Sequence, residues 1–97
     1  MELKDKIELR KLAIKCSKLE NEIFDEEDSD YVDYRIIRNK ERAIKSSIDK
    51  MSEISGIKSD IIYEIVYSNP LETWEDYFNK LRENGIEIAS SKEVERA

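Results

Sequence analysis

Apolar residues recur at helical spacing over most of the chain. Leu9, Leu12, Cys16, Leu19 and Ile23 step by three, four, three and four, the a/d interval of a coiled-coil seam. Leu3, Ile7 and Ile14 widen that stripe on one side. The pattern predicts a first helix over 2–24, roughly 35 Å long at about 1.5 Å per residue. A helix of that length needs a partner helix, from this chain or from another copy. The acidic stretch that follows predicts a joint, with Ser29 or Asp30 as the cap of a second helix.

The second helix is predicted over 31–54, with Tyr34, Ile37, Ile44, Ile48 and Met51 on its apolar side. Glu41 interrupts that stripe. Either the helix breaks near Ser46 and Ser47, or Glu41 faces solvent. Gly56 closes the helix, because glycine accepts the left-handed conformation at a helix end. A short third helix over 59–67 buries Ile61, Ile62, Ile65 and Val66. Asn69 and Pro70 stop it and restart a fourth helix over 71–84. There Leu71, Trp74, Tyr77, Phe78 and Leu81 recur at core spacing, and Gly85 ends the run. Ile86 and Ile88 predict a short extended stretch or a tail folding back. Residues 90–97 read as a flexible polar end.

The expected fold is therefore all-α. A long coiled-coil-like N-terminal helix and acidic joint (1–28) precede a compact helical bundle (29–89) and a tail (90–97). With 97 residues the chain has room for one domain. A domain this small buries only roughly 60–65% of its unfolded surface, so the seam Leu9, Leu12, Cys16, Leu19 and Ile23 is the expected site of self-association as a dimer.

Charge adds a second layer. Charged residues make up 41% of the chain, and its net charge is −6, which disfavours a general attraction to nucleic acid. The distribution is uneven. Asp25, Glu26, Glu27, Asp28, Asp30 and Asp33 lie within ten residues, followed at once by Arg35, Arg38, Lys40, Arg42 and Lys45. The acidic run reads as a solvated joint. As a mimic of nucleic acid it is too small a patch. As a calcium loop started at Asp25, it places Asp30 where glycine is required and Ile36 where a glutamate is required.

Candidate chemistry is sparse. The chain has no histidine and one cysteine, too few ligands for a zinc site. No histidine can serve as general base, and no glycine-rich loop can hold a phosphate. Cys16 falls on the apolar seam, where a thiol behaves as a small hydrophobe. No enzyme activity and no cofactor are expected. No apolar run approaches a membrane span, the start Met1-Glu2-Leu3-Lys4-Asp5 is unlike a signal peptide, and a lone cysteine suits a reducing compartment. These point to a cytoplasmic protein. Tyr63 and Tyr67, four apart on the third helix, are the expected partner surface. Trp74, Tyr77 and Phe78 are expected in the core.

Residues 47–81 resemble the helix-turn-helix of the Cro/C1 repressor class. The positions that carry the likeness are Ser47, Ser52, Gly56, Ile57, Ile62 and Ile65, followed by Pro70, Leu71, Glu72 and Thr73. The resemblance implies that Ser47 caps a helix and that the helix after Gly56 enters a DNA groove. Phosphate contacts would then come from Arg35, Arg38, Lys40, Arg42, Lys45 and Lys58. The solvent side of that helix offers Lys58, Ser59, Asp60, Tyr63 and Glu64, whereas DNA readers favour Arg, Lys, Asn or Gln there. The leading expectation is accordingly a helical protein-interaction module: a regulator, assembly factor or inhibitor that binds a protein or itself. The alternative is a DNA-binding regulator.

Overall fold

The computed structural model describes residues 1–68 and 73–97. All regular structure among them is helical: α1 Leu3–Glu27, α2 Tyr34–Ser55, α3 Ser59–Tyr67, α4 Trp74–Glu83 and α5 Ser91–Arg96. Helices α1 and α2 form an antiparallel hairpin, and the molecule measures 44 × 24 × 22 Å along its principal axes. The length follows the hairpin.

The turn between α1 and α2 is closed by polar side chains. The Ser29 hydroxyl lies 2.8 Å from the Glu26 carbonyl and 3.0 Å from that of Tyr31. The Glu26 carboxylate accepts the Asp33 N–H at 3.0 Å. Asp33, rather than Ser29 or Asp30, caps α2 by accepting the Arg35 N–H at 3.0 Å. The carboxylate satisfies a backbone donor and suits the positive end of the helix dipole. The expected start of α2 moves accordingly from residue 31 to Tyr34.

Helix α2 runs unbroken through Ser46 and Ser47 to Gly56, which adopts φ 76° and donates its N–H to Ser52 at 2.8 Å. Glu41 is exposed, so the gap in the stripe is a solvent position and not a break. Ser47 is buried inside the helix and donates to the Ala43 carbonyl at 2.9 Å. It therefore begins no helix, as the Cro/C1 resemblance would require.

The coiled-coil-like seam is covered within the chain. Leu9, Leu12, Cys16 and Ile23 are buried, with Leu19 packed at their edge, in one core with Ile37, Ile44, Ile48 and Met51. The surface expected to recruit a second copy is occupied by α2, because an antiparallel hairpin satisfies the same stripe at no cost of association. Helix α3 adds Ile62, Ile65 and Val66, and α4 adds Tyr77, Phe78 and Leu81. Ile61, expected in the core, is exposed.

Helix α4 starts at Trp74, capped by the Thr73 hydroxyl. The expected start at Leu71, the stop at Asn69 and Pro70, and Pro70, Leu71 and Glu72 of the resemblance lie outside the described residues. Trp74 is 47% exposed, against 5% for Tyr77 and 3% for Phe78. The indole stands at the outer edge of the ring cluster, 5.9 Å from Phe78. It occupies the first position of the helix, where the inward-facing stripe has not yet begun.

The C-terminal residues form structure. Ile86, Ile88 and Ala89 are buried, and the Ala89 N–H donates to Lys6 of α1 at 3.1 Å. Ser90 then opens α5 with a capping box: its hydroxyl accepts the Glu93 N–H, and the Glu93 carboxylate accepts the Ser90 N–H at 3.0 Å. That backbone hydrogen bond, more than any other influence, holds the Glu93 carboxyl below its ordinary range. The expected flexible tail is thus a helix fastened by reciprocal capping.

Candidate interaction surface

Exposed large apolar side chains occur at several places, Met1 and Trp74 among them, but the three most exposed lie where α1 ends and α2 begins. Phe24 is 69% exposed, Tyr31 92% and Tyr34 68%. Their spacing continues the helical pattern, but α3, α4 and the C-terminal segment cover the hairpin nearer its other end. Among the described residues of 19–43, Ile23 and Ile37 alone of the hydrophobics are buried. The six carboxylates of the joint surround these rings in sequence.

Behind Phe24 runs a groove of about 250 Å³, lined by Glu20, Asn21, Ile23, Phe24 and Glu27 of α1, Glu41 of α2 and Tyr67 of α3. Three elements position it. The length of α1 carries Phe24 and Glu27 to the C-terminal end of α3. The unbroken α2 sets Glu41 beside them. Helix α3 ends at Tyr67, whose ring stacks on Tyr63 at 4.7 Å. Tyr67 is half-buried and Tyr63 is 43% exposed. Burial first, and then the neighbouring Tyr63 hydroxyl, push the Tyr67 phenol well above its usual range, so it enters the groove as a neutral hydroxyl. Glu27 and Glu41 are exposed, and neither joins an ion pair among the described residues. The expected pair Tyr63 and Tyr67 therefore does reach a surface, with Tyr67 as one wall of a groove.

Two cationic surfaces lie elsewhere. Arg35, Arg38, Arg42 and Lys45 are exposed on α2 at intervals of three, four and three, hence on one helix face. Lys40 leaves that set to bind Glu22 of α1 at 2.7 Å. Lys58 is exposed at the start of α3, with Asp60 and Glu64 exposed on the same helix. The second surface belongs to α1, where Lys11, Lys15 and Lys18 flank Ile14 and Leu19 over a shallow depression.

Other chemistry is absent from the described residues in the sense that no group of three His, Cys, Asp or Glu side chains is arranged to hold a metal ion. Cys16 is fully buried, with its thiol 4.0 Å from the Ile44 carbonyl. Burial pushes the thiol up to about 11, partly offset by a hydrogen bond with Ser47. A protonated, inaccessible thiol is neither nucleophile nor ready partner for disulfide exchange. No described helix is long and apolar enough to cross a membrane.

Sequence reasoning did not assign Phe24, Tyr31, Tyr34, Glu27 or Glu41 to a binding surface. Phe24 sits one position after the seam residue Ile23, and Tyr34 falls on the apolar stripe of α2; periodicity alone assigns both to packing. Arg10 was likewise missed. Its guanidinium donates to the Ala89 carbonyl at 2.8 Å and lies 4.7 Å from the Phe78 ring centroid, joining α1 to both α4 and the C-terminal segment. No known protein family, curated protein or solved structure matches this chain.

Proposed function

We propose that this chain is a small helical protein-interaction module that acts by docking a protein partner at the free end of the α1–α2 hairpin. The observation that carries this reading is the concentration of Phe24, Tyr31 and Tyr34, each more than two-thirds exposed, on a part of the hairpin that the bundle leaves uncovered. Aromatic side chains bring a large contact area at little conformational cost, which is why they dominate binding hot spots. A regulator, an assembly factor or an inhibitor could each work through such a surface. The test compares the wild type with Phe24→Ala/Tyr31→Ala/Tyr34→Ala as bait in extracts of the source cell, using folded protein verified by circular dichroism. A partner retained by the wild type and lost by the triple variant is the expected result. A partner retained equally by both places the docking surface elsewhere.

A second reading, a DNA-binding regulator, draws support from the exposed row Arg35, Arg38, Arg42 and Lys45 on one face of α2. Such a row can follow a phosphate backbone. The position of Ser47 inside α2 and the exposed acids Asp60 and Glu64 on α3 weigh against groove reading. A salt series with nonspecific duplex DNA decides it. Submicromolar binding that Arg38→Ala/Arg42→Ala abolishes would put this reading first.

A further inference from the structure

We propose that the groove between Phe24 and Tyr67 receives a cationic, partly apolar polypeptide segment of the partner, with an arginine or lysine seated against the aromatic wall and its charge met by Glu27 and Glu41. This rests on the reading of the chain as an interaction module and adds the chemistry of what it binds. Three observations select that occupant. The walls supply apolar surface from the exposed Phe24 and the half-buried Tyr67, with the buried Ile23 beneath them. Cations are drawn to aromatic faces, and more strongly when water is excluded. Carboxylates stand on two different helices across the groove, Glu27 on α1 and Glu41 on α2, both exposed and without ion-pair partners among the described residues. Among the described residues no cationic side chain lines the groove, so an anionic segment would meet only like charge there. Asp25, Asp28 and Asp30, exposed between Phe24 and Tyr31 in the sequence, add to the negative charge of this end of the hairpin.

Size supports the same choice. A groove of about 250 Å³ lies below the range of roughly 300–1,000 Å³ usual for small-molecule pockets. It suits one or two side chains of a longer segment, whose remaining apolar positions would lie over Phe24, Tyr31 and Tyr34.

The experiment uses the full chain and three fluorescein-labelled peptides. In the first, arginine and leucine alternate at helical spacing. The second replaces each arginine with glutamate, and the third replaces each leucine with serine. Binding is followed by fluorescence anisotropy over a salt series and mapped by amide chemical shifts. The first peptide should bind, more weakly as salt rises, and should shift Phe24, Glu27, Glu41 and Tyr67. Phe24→Ala should weaken it roughly tenfold and Glu27→Gln/Glu41→Gln roughly fivefold. Lys11→Gln, on the lysine face of α1, should leave it unchanged. The two control peptides should bind poorly.

Equal binding of the glutamate peptide, or indifference to Glu27→Gln/Glu41→Gln, would overturn the charge assignment. If those peptides still lose affinity on Phe24→Ala, the interaction reading itself survives. Failure of every peptide to shift any residue of the hairpin end would overturn both. Finally, wild type that self-associates in sedimentation and becomes monomeric on Lys15→Glu/Lys18→Glu would show that the occupant is the lysine face of a second copy, and the proposed partner segment would be wrong.

Discussion

The two ends of the α1–α2 hairpin are built from the same periodic pattern and meet opposite fates. At one end Leu9, Leu12, Ala13 and Cys16 face Ile44, Ile48 and Met51, and every one of these is buried. Helix α4 adds the Tyr77 hydroxyl, which donates to the Ala13 carbonyl at 2.9 Å. The chain's last residues close over Lys6 and Arg10. At the other end the stripe continues in Ile23 and Ile37, but the next large side chains, Phe24, Tyr34 and Ile36, are exposed. Hydrophobic periodicity thus states which faces of two helices meet. It does not state how far along them a third layer will reach. That reach depends on the lengths of α3 and α4, nine and ten residues, too short to cover a hairpin whose first arm has 25.

The largest effects should come from the core of the covered end. Phe78→Ala and Leu9→Ala should each lower stability by about 2–5 kcal/mol in urea melts. Phe24→Ala and Tyr34→Ala should change it by about 0.5 kcal/mol or less. Comparable losses at both ends would show that the exposed rings are structural.

Smaller effects are expected at the single hydrogen bonds of the C-terminal helices. Ser90→Ala removes the hydroxyl that caps α5 and should cost about 1 kcal/mol. Hydrogen exchange should quicken in α5 and around Lys6, with residues 20–40 unaffected. Tyr77→Phe leaves the ring packing in place but deletes the hydrogen bond to Ala13, for a loss of about 0.5–1.5 kcal/mol.

Cys16 offers a probe by pH. Its folded-state value of about 11 lies above the thiol's ordinary 9.0. The folded protein therefore holds this proton more tightly than the unfolded chain. The resulting stability is present in full below pH 9 and declines as pH rises through about 11. Cys16→Ala should flatten the fall in stability between pH 9 and 10. An unchanged slope would mean that the tyrosines alone set the alkaline limit, since burial also raises Tyr67 and Tyr77.

Much of the fold was legible in the sequence, because periodicity, Gly56 and Gly85 mark helices and their ends directly. The bounds of α3 match those expected from Ile61, Ile62, Ile65 and Val66, although Ile61 itself is exposed. What escaped were features decided by distant residues. Trp74 shares the spacing of Tyr77 and Phe78, yet nothing local says that the third layer stops short of it. The polar run 90–97 hides a capping box, since Ser90 and Glu93 have the required separation but no apolar face marks the helix. The groove was the least legible. Glu41 looked like a defect in the α2 stripe, and Glu27 like one more acid in a solvated joint. Only the crossing of three helices brings them to Tyr67.

The hydrogen bond from Ala89 to Lys6 brings the beginning and the end of the chain to one pole of the molecule, with the acidic aromatic groove at the other. Domains appended to either terminus would emerge away from the docking surface and leave it unobstructed. The same adjacency makes the chain a candidate for circular permutation. Joining Ala97 to Met1 through a short glycine-serine linker and opening the chain in the exposed segment 28–31 would move both ends to the groove, converting a display that faces outward into one that its own fusion partner covers.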